Sequence, residues 1–120
     1  MFRLGVIEES LSDRAILAEL TPFFVKRRVA EVSDDAVPVW HINEYHVPES
    51  ALSQLLPALE SGVKPSWYAH AFNDEKLVIV LHGKSFSVSL TRDETWGEMI
   101  AYGETVDVER KYLENIPLRV

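Results

Sequence analysis

Between Trp67 and Leu90, three short runs rich in β-branched and aromatic residues are separated by two turn signals, Asp74-Glu75 and Gly83-Lys84. Side chains alternate across a strand, so once the turns are placed, register and facing follow by counting. Trp67 to Asn73, Lys76 to His82 and Ser85 to Leu90 are therefore expected to form a β-meander. One face would carry Tyr68, His70, Phe72, Leu77, Ile79, Leu81, Phe86, Val88 and Leu90, and its apolar character marks it as the core face. The other would carry Trp67, Ala69, Ala71, Val78, Val80, His82, Ser85, Ser87 and Ser89, more polar toward the last strand. This register sets His70 opposite Ile79.

Such a sheet needs helices to cover it, and the chain before the meander supplies both helices and further strands. Phe2, Leu4 and Val6 alternate through a first strand that ends at Glu8-Glu9. Ser10 and Asp13 offer N-terminal capping for a helix over Leu11 to Leu20, which Thr21-Pro22 should stop because the residue before proline is forced out of helical geometry. A second strand is read over Val25 to Val32, with Lys26 and Arg28 on one face and Arg27 on the other. Ser33-Asp34-Asp35 supplies turn chemistry to a third strand within Val37 to Val47. Pro48 suits the start of a helix carrying Leu52, Leu55, Leu56 and Leu59 and ending at Ser61-Gly62, with Pro57 kinking or shortening its last turn. After the meander, Thr91 and Glu94 form a capping box ahead of Trp96, Met99 and Ile100, with Gly103 as the stop. Glu104 to Val120 reads as a helical turn followed by an irregular tail at Ile116-Pro117-Leu118.

The order strand, helix, strand, strand, helix, strand predicts an α+β sandwich: a ferredoxin-like split βαβ unit extended by a C-terminal β-meander and a short helix. With 120 residues, one domain over 1–120 is expected, its helices covering one sheet face and leaving the other partly open. Nineteen acidic against twelve basic residues give a net charge of −7, which disfavours nucleic acid and anionic lipid as partners. No cysteine is present, so disulfides, thiolate nucleophiles and cysteine-ligated metals are excluded. No apolar run approaches the ~20 residues that span a bilayer, and no leader is evident; the expectation is a cytoplasmic protein without membrane contact.

The third strand gathers the polar side chains that could carry chemistry. His41, Asn43 and Tyr45 share one face, while Trp40, Ile42, Glu44 and His46 share the other, so the two histidines cannot chelate one ion from a straight strand. No metal and no cofactor are expected. His70 reads first as a core histidine bonded to a neighbour, and second as a general base if a pocket reaches it. Ser85 and His82 form only a weak nucleophile and base pairing, for no Gly-x-Ser-x-Gly elbow accompanies them. The candidate ligand-facing residues are His41, Asn43, Tyr45 and His70. The leading reading is a non-enzymatic binding or interaction module, a homodimer, whose open sheet face meets a small molecule or a protein. The alternative is a small enzyme using His41 or His70 as an acid-base group in a pocket beside the third strand.

Trp40-His41-Ile42-Asn43-Glu44-Tyr45, Trp67-Tyr68-Ala69-His70 and the stretch Val78 to Phe86 with its Gly83-Lys84 together resemble a group of small uncharacterised archaeal and bacterial single-domain proteins. The resemblance spans most of the chain. It implies a single domain and carries no activity, cofactor or catalytic residue with it.

Overall fold

The computed structural model describes residues 1–33 and 35–120. Among these residues six antiparallel strands form one open sheet: β1 Phe2–Ile7, β2 Phe24–Glu31, β3 Val39–Val47, β4 Ala69–Phe72, β5 Leu77–Leu81 and β6 Lys84–Val88, in the spatial order β2-β3-β1-β4-β5-β6. Four helices pack on it: α1 Ile16–Leu20, α2 Glu49–Gly62, α3 Trp96–Thr105 and α4 Arg110–Leu113. No helix among the described residues is long and apolar enough to cross a membrane.

The alternation of β1 decides how the layers form. Phe2, Leu4 and Val6 point to one side and meet Tyr45, Val47, Ala69, Ala71, Val78 and Val80 beneath Ile16 and Leu20 of α1 and Leu52 and Leu59 of α2. On the opposite side Phe72, Leu77, Ile79, Leu81 and Val88 are buried by Trp96, Met99 and Ile100 of α3 and Leu113 of α4. Helices thus lie on both faces, and each fully buried large aliphatic side chain contributes roughly 1.5–3 kcal/mol. This corrects the expectation of a single core face: the Ala69, Val78 and Val80 side is buried as deeply as the Ile79 side. Because α3 and α4 cover only the β4–β6 half of their face, β1, β3 and β2 stay uncovered by helices there.

The meander's first turn centres on Asp74-Glu75 as counted, pairing Phe72 with Leu77 and His70 with Ile79. Its second turn is offset: Leu81 pairs with Lys84, so His82-Gly83 is the centre rather than Gly83-Lys84. The end of α2 explains the offset. Gly83 N–H donates to the Glu60 carbonyl at 2.8 Å, the His82 ring bonds the Val63 carbonyl at 2.9 Å, and Gly83 takes a φ of 87° that a side chain would resist.

Several helix boundaries also differ from expectation. The helix read over Leu11 to Leu20 begins only at Ile16, because Glu8–Ser10 form a 3-10 turn and Leu11 is used in a bridge to Val63. The Thr91–Glu94 box does not start α3; Asp93 Oδ1 instead accepts from the Thr95 N–H at 2.8 Å and its hydroxyl at 2.5 Å, just before Trp96. Gly103 does not end that helix either. It lies inside α3, where a Cβ would come within 2.6 Å of Leu113, so its small size admits α4. Pro57 sits inside α2 without shortening it, and the helix runs on to Gly62. The turn read at Ser33-Asp34-Asp35 has its middle residue outside the described residues.

Candidate functional site

Because β3 lies between β2 and β1, its polar side chains meet neighbours from both strands. On the α1/α2 side, register places Asn43 beside Arg27 of β2 and Val6 of β1, just ahead of Glu8. Asn43 Nδ2 donates to Glu8 Oε2 and to the Tyr45 hydroxyl, each at 2.9 Å, while its Oδ1 accepts from Arg27 Nε at 3.0 Å. Arg27 closes the ring of contacts by donating to Glu8 Oε2 at 2.5 Å. Burial raises the Tyr45 pKa, with the Asn43 bond opposing. Glu9 receives the His41 backbone N–H at 2.7 Å and its Nδ1 at 2.6 Å. Burial pushes the Glu9 carboxyl up, but the His41 bonds outweigh it and hold the group below the ordinary carboxylate value. His41, Asn43 and Tyr45 do share a face, and their polar atoms are spent on one another and on Glu8, Glu9 and Arg27.

His70 stands on the opposite face, among different groups. Gly5 of β1 is its neighbour across the strands, and a Cβ at Gly5 would come within 3.0 Å of His70 Cε1 and 3.2 Å of Val120. That missing side chain leaves room for the imidazole and the tail to come close to β1. His70 Nε2 bonds the Arg119 carbonyl at 2.9 Å; a carbonyl only accepts, so Nε2 carries the proton and Nδ1 holds the lone pair. The ring stacks on Phe72 with centroids 5.8 Å apart, and burial lowers its pKa despite the Arg119 bond.

Between this imidazole, the uncovered half of the sheet and the tail runs a groove of about 530 Å³. Its floor and walls include Ile42, Trp40, Trp67, Tyr68 and Arg28, with Pro117, Arg119 and Val120 along one side. Trp40 is fixed by its indole N–H donating to Val37 O at 2.8 Å and meets Trp67 edge-on, centroids 5.2 Å apart. The Tyr68 hydroxyl, the Trp67 indole N–H and the Arg28 guanidinium bond to none of the described residues, and burial raises the Tyr68 pKa. Two non-glycine residues, Ser66 with φ 72° and Asp107 with φ 68°, are held in the left-handed region, and both border the groove. Backbone strain of this kind persists where surrounding structure enforces it and often marks a binding site.

No family model, curated protein or solved structure matches this chain.

Of the residues that line the groove, the sequence names His70 as a candidate, whereas Arg28 and the tail are missed. Arg28 could have been placed beside Ile42 by counting back from the β2–β3 hairpin. The tail could not, since nothing local says that residues 117–120 return to Gly5. Beside the groove, Glu44 is buried with His46 Nε2 at 2.9 Å, Arg3 Nε at 3.5 Å and Lys26 Nζ at 3.9 Å, and its Oε1 has no hydrogen bond among the described residues. Burial raises its pKa, yet the bond from His46 and the charges of Arg3 and Lys26 bring it below the ordinary value. Among the described residues no three His, Asp or Glu side chains converge as metal ligands. His82 and Ser85 do not pair: the former bonds Val63 O and the latter donates to Glu60 Oε2 at 2.6 Å.

Proposed function

We propose that this chain is a binding module whose site is the groove beside β3, and that its ligand is a small planar molecule bearing an anionic group. The observation that carries this reading is that Tyr68, His70 and Arg28, whose hydroxyl, Nδ1 and guanidinium bond to none of the described residues, together line a 530 Å³ space walled by two tryptophans. A site of that size, mostly apolar with a few directed polar groups, suits a small ligand. Tryptophan walls favour a flat ring, and a guanidinium with no ion pair among the described residues favours a carboxylate or phosphate. Fragments of benzoate or indole-carboxylate type, followed by amide NMR shifts, test it. Shifts centred on Gly5, Trp67, Tyr68 and His70 are expected; hits scattered elsewhere, or none at millimolar fragment, remove the reading.

A second reading has one observation in its favour. His70 keeps a lone pair on Nδ1 at the groove with its pKa lowered by burial, which suits a general base toward a bound acid. Turnover of a groove ligand that vanishes in His70→Gln while binding persists distinguishes an enzyme from a module.

We also read the first four strands as a ferredoxin-like split βαβ unit, supported by their order β2-β3-β1-β4 with α1 and α2 on one face. The chain is further read as a homodimer, supported by the apolar residues exposed along the β2 edge, Phe24, Val25 and Val29.

A further inference from the structure

We infer that two copies of this chain join edge to edge through β2, antiparallel about a two-fold axis at Val29, making one sheet continuous through both. The inference rests on the homodimer reading and names its surface and register. β2 is an edge strand of eight residues, exposed along nearly its whole length. Four of the seven exposed large apolar residues lie on it or on the first residue of its partner strand: Phe24, Val25, Val29 and Val39. Such an edge offers free backbone N–H and C=O groups to another strand, and chains commonly guard it with charges and bulges. Both guards are present, as Lys26-Arg27-Arg28 and as a bulge between Phe24 and Lys26.

Symmetry narrows how that guard can be passed. A two-fold axis perpendicular to the sheet keeps each face on its own side, and directly opposed residues in a ladder share a face. Opposed residue numbers must then have the same parity, which centres the axis on a residue. Centres at Lys26, Arg27 or Arg28 set a cation against its own copy, and a centre at Glu31 does the same with a carboxylate. A centre at Ala30 sets Arg27 against Ser33 and leaves the charges unmatched. A centre at Val29 alone opposes Arg27 to Glu31 of the second copy, twice by symmetry, and opposes Val29, 59% exposed, to itself.

Each of the opposed groups keeps bonding capacity for that interface. Arg27 uses Nε and one terminal nitrogen on Asn43 and Glu8, leaving Nη1 unbonded among the described residues. Glu31 has no ion pair among them. Arg28 would oppose the small Ala30 on the groove side, so the groove stays open in the dimer.

The chain contains no cysteine, so single-cysteine variants report cleanly. Sedimentation from micromolar to millimolar concentration measures the dimer, and disulfide trapping of Val29→Cys, Val25→Cys and Leu118→Cys maps it; all three positions are exposed, so the fold tolerates them. Only Val29→Cys faces its own copy within disulfide reach, and it should cross-link fastest. Glu31→Arg turns two opposed pairs into like charges and should weaken the dimer by about tenfold to a hundredfold. A dimer that cross-links as readily through Leu118→Cys, or that ignores Glu31→Arg, overturns the register and leaves the dimer reading standing. A chain monomeric to millimolar concentration overturns both.

Discussion

The two faces of the sheet around β3 carry two contrasting sets of polar side chains. Toward α1 and α2, each hydrogen-bonding atom of the Asn43 amide has a partner, and Glu8, Arg27 and Tyr45 form one closed set around it. Toward the tail, His70, Tyr68 and Arg28 line a groove, and His70 Nδ1, the Tyr68 hydroxyl and the Arg28 guanidinium bond to none of the described residues. A buried polar group is affordable when it is bonded, and costly when it is stripped of its partner. The first set therefore serves folding, whereas the second leaves its hydrogen-bonding capacity to whatever enters the groove.

The sharpest way to break this contrast is to remove Asn43. Asn43→Leu fills similar volume but leaves the buried Glu8 carboxylate and Tyr45 hydroxyl without the amide, and should destabilise the fold by about 3 kcal/mol. Urea unfolding measures it through the midpoint at constant slope. A loss below about 1 kcal/mol means that the closed set contributes no more than a solvated surface pair, and the two faces are then alike.

Gly5→Ala comes next. The added Cβ would press on His70 Cε1 at 3.0 Å and on Val120 at 3.2 Å, so the tail or the imidazole must shift. Crowding of that kind costs about 1–2 kcal/mol, and NMR shifts of Arg119 and His70 should show the tail displaced. A variant as stable as the parent with an undisturbed tail would mean that Gly5 does not set the groove's shape.

How much of this contrast could be read from the chain alone follows from how local each part is. Alternation is enough to put His41, Asn43 and Tyr45 on one face and Glu44 and His46 on the other, and a turn centred on Asp74-Glu75 is enough to set His70 against Ile79. What failed was long-range. Leu11 looks like the start of a helix until Val63, far along the chain, takes it into a bridge, and Gly103 looks like a helix stop until Leu113 needs its space. The groove has the same character, since its walls come from β1, β3, the segment around Asp107 and the tail. His70 was therefore grouped with His41, Asn43 and Tyr45, although the sheet lies between them.

Acid sharpens the comparison on a smaller scale. His70 has a folded pKa below its ordinary value of about 6.5, so the unfolded chain binds the proton first and stability present above that pH declines as pH falls toward the folded value. Glu9 and Glu44 are lowered from about 4.5, so their contribution is present above that pH and is lost only as pH falls through their folded values. Two separate declines are expected in urea midpoints taken across pH. His70→Gln should flatten the upper one, by at most about 1.4 kcal/mol per pH unit, and spare the lower. An upper decline that survives His70→Gln would place its origin outside the groove.

The smallest effect on folding should come from Tyr68→Phe, and for that reason it separates the two faces most cleanly. The hydroxyl makes no bond among the described residues, so deleting it strands no partner and should change stability by less than about 0.5 kcal/mol. Its loss should nevertheless weaken a groove ligand that accepts from it by about fivefold to tenfold, since a site group left unpaired by its ligand costs the net value of one hydrogen bond. Paired measurements of urea midpoint and fragment affinity on this one variant decide the matter. A large loss of stability would show the hydroxyl to be part of the fold, and an unchanged affinity for every groove fragment would show that the ligand does not use it.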